Sequence, residues 1–346
     1  MPHPALLNST GLVLTPLALS DEEGVPLVVP LIQGTWHIGV GGELRWLERQ
    51  PEPAISGEWW GDPAVASMRL EPQVAFVKPV GTDVVLLGHA HAPHSGATEG
   101  QVGVRVGPVQ KVVRVVGDRR LVRRIAGTAV TAPRPFERMP LRYERAFGGW
   151  DRRHADPDRH RCEPQNPVGV GFHDASLPAP EDAALPNFED PAHPYTGYGD
   201  KLPPVGFGFI APNWQPRIAL GGTYDEAWSK TRKPLLARDF DRRFFNAGSP
   251  GLVTPGHLRG DETAVVIGAA PEGRVEFRLP ARATPACWVE TRARRRVALV
   301  PQLDTVLIDM DLRLLTLTWR AHMPARNGLH DVRSIELQIP SAPVHP

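Results

Sequence analysis

Lys111-Val-Val-Arg-Val-Val-Gly-Asp-Arg-Arg-Leu-Val-Arg-Arg-Ile125 carries two runs rich in β-branched and aliphatic residues on either side of a Gly-Asp pair. Val and Ile fit a pleated, half-buried surface better than a helix, where their χ1 freedom is lost. Gly at the first of two turn positions suits the type II′ turn of a tight hairpin. The segment therefore predicts two antiparallel strands, 111–116 and 119–125, closed by Gly117-Asp118.

Working outward, the rest of the chain repeats that idiom. Leu12–Leu19, Thr35–Val40, Val84–Val85-Leu86-Leu87, Thr263–Gly268 and Val275–Leu279 are short apolar stretches bounded by Gly or Pro. Val297–Val300, Thr305–Ile308 and Arg313–Trp319 read as a meander, with Ile335–Ile339 as a further strand. The run at 84–87 is continuously apolar, as expected of a strand buried on both faces. Pro (38) and Gly (33) make up about a fifth of the 346 residues, which leaves little room for long helices. Hydrophobic residues at 41%, with nine Trp and eleven Phe, exclude a disordered chain.

Two helices are expected in the stretch that follows the proline-dense middle. Thr223-Tyr-Asp-Glu226 matches a capping box opening a helix over about 224–231, which must stop before Pro234. Leu236, Phe240 and Phe244 recur at i, i+4 and i+8, predicting a second one that ends near Asn246. The predicted class is mainly β, with antiparallel sheets in a sandwich- or barrel-like arrangement, two short helices and long Pro/Gly-rich loops. One β-rich domain covers 12–337. A division into two lobes, 12–132 and 217–337, joined by the loop-rich 133–216, is compatible with the same pattern.

Charge and cysteine narrow the setting. Net charge is +1, so bulk charge selects no partner. Its distribution is uneven: residues 105–161 hold fifteen Lys or Arg against six Asp or Glu, and 163–228 hold two against nine. Two cysteines cannot form a disulfide framework. The first twenty residues contain no Lys or Arg, and the longest apolar run, Val25–Ile32, is eight residues with two prolines. Neither a secretory signal nor a membrane span is expected, and the chain reads as cytoplasmic.

Chemical motifs are sparse. No phosphate loop, dinucleotide fingerprint, His-Glu-x-x-His, Cys-x-x-Cys or Gly-x-Ser-x-Gly occurs in the sequence. His89-Ala-His91 is the best metal candidate, because residues two apart on a strand share a face. It supports an alternative reading as a metal-dependent hydrolase, although no acidic residue lies within the motif. Asp239-Phe-Asp241 and Asp309-Met-Asp311 match the Asp-x-Asp pattern of divalent-ion sites, but a helix start and a hairpin turn account for them. Arg142, Glu144, Arg145, Asp239, Asp241, Arg242 and Arg243 are expected to form one structural ion-pair network rather than a nucleic-acid clamp.

Several longer segments carry a resemblance. They are Lys78-Pro-Val-Gly-Thr-Asp83 through His91, Arg142-Tyr-Glu-Arg-Ala-Phe-Gly-Gly149, Asn166-Pro-Val-Gly-Val-Gly-Phe172, Leu185-Pro-Asn-Phe-Glu189, Gly221–Asn246 and Leu258-Arg-Gly-Asp-Glu262. In this order, over about 12–337, the chain resembles the domain-of-unknown-function family 2169. Val80 is an added residue in the Lys-Pro-Gly-Thr-Asp pattern, and Ala237 stands where Pro is expected. The resemblance implies a type VI secretion adaptor or chaperone that binds a toxic effector protein. It would help load that effector onto the spike of valine–glycine repeat and PAAR-type proteins. No catalytic residue, metal or cofactor is implied, and neither nucleic acid nor membrane is an expected partner. Aromatic and arginine density picks out Arg114, Arg119, Arg120, Arg124, Tyr224, Trp228, Phe240, Arg242, Arg243 and Phe245 as partner-binding candidates.

Overall fold

The protein is described from a computed structural model, over residues 3–125, 127–280 and 285–339. Its largest sheet runs in the order Val13–Ser20, Pro26–Ile38, Leu314–Arg320, Gln302–Asp309, Asp83–Leu87. All neighbours are antiparallel except the last, which lies parallel to 302–309 with Thr305 opposite Asp83. Strands from the first hundred residues and from the last fifty thus share one hydrogen-bonded sheet.

The continuous apolar run at 84–87 is explained by its two faces. Val84 and Leu86 enter the main core, while Val85 and Leu87 pack with Met68, Phe209 and Ala247 on the opposite side. The Pro26–Ile38 strand behaves likewise, with Val28 and Ile32 in the main core and Leu27 and Val29 against Phe76. Its Pro30, which cannot donate a ladder hydrogen bond, sits where the neighbour changes from 314–320 to Met323–Pro324.

A second sheet runs Phe188–Glu189, Val109–Val116, Glu99–Val106, Thr263–Ile267, Arg274–Arg278, all antiparallel. A third pairs Ala5–Asn8, in parallel, with Val332–Gln338, followed by Ala286–Thr291 and Arg296–Leu299. Val104, Val113, Val266, Val289, Ile335 and Leu317, drawn from all three sheets, lie in one continuous core. The mainly β class is as expected.

The hairpin at Gly117-Asp118 is not. The 109–116 strand pairs back with 99–106 through Gly107-Pro108, whose glycine has φ 53°. Beyond Val116 the chain leaves that sheet, and Arg120–Arg124 pairs with Gly127–Val130 and Asp182–Ala184. Gly117 serves close approach instead of a turn: it donates to Thr98 O, and a Cβ there would lie 1.8 Å from Arg134 O. The meander is also interrupted, since 296–299 and 302–309 belong to different sheets.

Among the described residues there is one α-helix, Glu226–Thr231, and not two. Its cap is Asp225, whose Oδ1 accepts from Trp228 N at 2.8 Å, and not Thr223. Thr223 instead donates to Asp239 through both its backbone N and its Oγ1. The expected second helix is a single 3-10 turn, Arg242–Phe245, capped by Asp241. The recurrence of Phe240 and Phe244 is satisfied by a knot of rings with Phe245, at centroid distances of 5.5–6.1 Å, and Phe245 meets Phe76 edge-on at 5.2 Å. No helix among the described residues is long and apolar enough to cross a membrane.

Candidate interaction surface

In Lys78–Asp83, the Lys78 ammonium is fully buried between Asp83 and Glu71. Burial works against its charge, but Asp83, Glu71 and Asp304 outweigh that and raise its pKa above the ordinary lysine value. Glu71 also pairs with buried Arg217, and Asp304 with buried Arg320, so three cations and three carboxylates share one interior region. Gly81 has no room for a side chain, since a Cβ would lie 2.1 Å from Thr254 O. Thr82 Oγ1 accepts from Leu258 N and donates to Leu303 O, clamping three separate segments.

The other motifs do the same work elsewhere. Asn166 is buried and donates to Tyr143 O and Phe147 O. Asn187 is buried and donates to Val116 O and Asp118 Oδ1. Glu189 is buried and accepts from Arg114 and Arg119. Buried amides and carboxylates need such partners, because an unpaired one is penalised by its full desolvation. The motifs therefore hold the fold together.

This use of charge also accounts for the uneven distribution along the chain. Basic 105–161 and acidic 163–228 meet in part: Arg114 and Arg119 pair with Glu189, and Arg120 with Asp182. Three of the four arginines proposed for a partner on that segment are thus already paired. Arg119 is also largely buried, with its guanidinium 5.7 Å from the Tyr195 ring centroid. Arg124, at the end of its strand, is exposed. Lys111 donates to Ser249 Oγ and Pro250 O, and burial pushes its pKa down to about 8.

The single ion-pair network expected from 142–145 and 239–243 resolves into separate contacts. Arg142 stacks over Trp60 at 4.1 Å, Glu144 accepts from Ser67, and Arg145 pairs with Asp118. Arg242 pairs with Glu22 and Arg243 with Asp241, lowering the pKa of each carboxylate through those hydrogen bonds.

Segment 221–246 is anchored from beneath. Arg217 donates to Phe244 O and Ile210 O, and its guanidinium lies 4.8 Å from the Phe244 ring centroid. Arg232 donates to Leu236 O and to Glu22 and Glu23. On this base Tyr224 is 48% exposed and meets the half-buried Trp228 edge-on at 4.8 Å, while Trp228 Nε1 donates to Leu235 O. Phe240 and Phe245 are half-buried, and Arg242 and Arg243 are exposed. Lys111 reaches Ser249 and Pro250, just beyond the end of this segment.

His89 and His91 lie on one short strand paired with Arg138–Pro140. His89 Nδ1 is 2.7 Å from Asp311 Oδ2, which also pairs with Arg138. His91 borders an open depression of about 690 Å³ with Arg114, Glu99 and Glu272, and burial followed by the nearby Arg138 charge lowers its pKa. No cluster of three metal-ligating side chains exists among the described residues. Asp309 Oδ1 accepts from Asp311 N and Leu312 N, the turn-forming role anticipated for it.

The buried six-charge group escapes a reading of the sequence, because its ion pairs join residues up to 146 positions apart. The lysine and aspartate of Lys78-Pro-Val-Gly-Thr-Asp83 were its only local signal. No curated protein matches the chain, and neither does any solved structure. Residues 23–320 match the model of a family described as an uncharacterized protein conserved in bacteria, and the chain belongs to that family, DUF2169.

Proposed function

We propose that this protein is a non-catalytic, cytoplasmic adaptor-chaperone of type VI secretion, which holds a toxic effector and helps load it onto the valine–glycine repeat and PAAR-type spike. The resemblance supplies the class of partner. The observation that carries the reading is the anchored segment 221–246, where Tyr224 and Arg243 are exposed beside the half-buried Trp228 on a hydrogen-bonded base. Tyr, Trp and Arg are the side chains that most often anchor interfaces, and pre-ordering them reduces the entropy lost on binding.

An adaptor that binds only the loading-competent effector stabilises it by about 2.7 kcal/mol at a hundredfold excess over Kd. Such a shift changes the abundance of a marginal protein several-fold. Co-expression with a toxic effector encoded by a neighbouring gene, where there is one, should raise that effector's soluble yield and give a joint peak in size-exclusion chromatography at micromolar concentration. Tyr224→Ala combined with Arg243→Glu should weaken that complex about tenfold or more while leaving the melting temperature unchanged. Unchanged yield and separate peaks would end the adaptor reading.

A further inference from the structure

Away from both segments, an open groove of about 420 Å³ lies between the 63–64 loop, the Trp150–Asp151 and Arg161–Cys162 ribbon, and the 213–218 turn. Its size falls in the range of ligand clefts, roughly 300–1,000 Å³. Trp214, 2% exposed and packed edge-on against Tyr143 at 5.5 Å, contributes to its lining. Trp150 and Ile218, each about half exposed (48% and 49%), stand at the solvent side, and Pro63, Pro164 and Pro167 contribute fixed backbone.

Two observations say what belongs there. The side-chain amides of Asn213 and Gln215 line the groove and make no hydrogen bond to any described residue. They offer donors and acceptors that suit the backbone N–H and C=O groups of an extended chain, whereas a helix has already spent most of its own. Arg152 lies 5.3 Å from the Trp150 ring centroid and pairs with no carboxylate among the described residues. An indole beside an unneutralised guanidinium favours an apolar side chain followed closely by a carboxylate.

We infer that this groove docks an extended segment of a partner protein in which Leu, Ile or Pro stands next to Asp or Glu. Backbone amide recognition with an aromatic anchor is a recurrent mode for extended peptides. The inference goes beyond the adaptor reading and does not depend on it.

A random dodecapeptide phage library panned against the full chain, with Trp150→Ala as counter-target, tests it. Selected peptides should carry the apolar–acidic pair. As fluorescent synthetic peptides they should bind Trp150→Ala and Arg152→Glu at least tenfold more weakly than the unmodified protein, with melting temperatures unchanged. Should Trp150→Ala fail to fold, Ile218→Glu provides the same comparison from the other side of the groove. No enrichment, or peptides that bind both proteins equally, would overturn the inference. So would Trp150-dependent binding of oligo-dT12 without any peptide, which would make the groove a base-stacking site.

Discussion

Replacing Lys78 with methionine removes one cation from a buried group of six charges. Lys78, Arg217 and Arg320 balance Glu71, Asp83 and Asp304, all but fully excluded from solvent. Methionine keeps much of the volume, so the loss is electrostatic and not a cavity. Asp83 would retain Asn246 Nδ2 and Ala247 N, and Glu71 would retain Arg217, but one negative charge would stand uncompensated. Removing one partner of a buried pair typically costs about 3–5 kcal/mol. At about 2.1 cal/mol/K per residue, unfolding 346 residues carries an entropy near 0.7 kcal/mol/K, so Tm should fall by about 4–7 °C. The pH dependence follows from the sign of the Lys78 shift. Its folded pKa lies above the unfolded value, so the stabilisation is fully present below about 10.5 and is lost only as pH rises through the folded pKa. Differential scanning fluorimetry at pH 6 and pH 9 should therefore show the same deficit in Lys78→Met. A drop below 2 °C, or a deficit that closes by pH 9, would mean that Lys78 is not the charged centre of this group.

Glu189→Gln should lower Tm by several degrees, because a buried carboxylate shared by Arg114 and Arg119 would become neutral, and urea denaturation would show it as a lower midpoint with unchanged slope. Gly117→Ala should destabilise by about 1–3 kcal/mol through its clash with Arg134 O, or prevent soluble expression. Gly197→Ala, which meets nothing within 4 Å and needs no positive φ, is the matched control and should express and melt like the parent.

Strands were legible wherever one local property determined them. The 84–87 run is apolar at every position because each face meets a different core, and that requirement is written into consecutive residues. Pairing was not legible, because two equally good turn dipeptides, Gly107-Pro108 and Gly117-Asp118, flank the 109–116 strand. Gly117 lies instead against Thr98 and Arg134, contacts that no local pattern announces. The spacing of Leu236, Phe240 and Phe244 imitates a helix, but Phe240 and Phe244 meet as rings, with Phe245, around a 3-10 turn. Arginines that looked available for a partner were already paired to carboxylates some seventy positions away, which no local pattern announces. The Trp150 groove was hidden for the same reason, since its lining comes from residues 63 to 218.

The central place of the Pro26–Ile38 strand sets a timetable for synthesis. Its partner at Leu314–Arg320 lies far downstream, as the Thr35–Thr316 contact across 281 positions shows. At roughly 5–20 residues per second, translation leaves that apolar edge without its neighbour for about 15–55 seconds. Throughout that interval the nascent chain can cover one side of the strand with Val13–Ser20 and nothing of the other with its native mate. The ribosome-bound chain is thus the stage at which this protein is itself most exposed to mispairing.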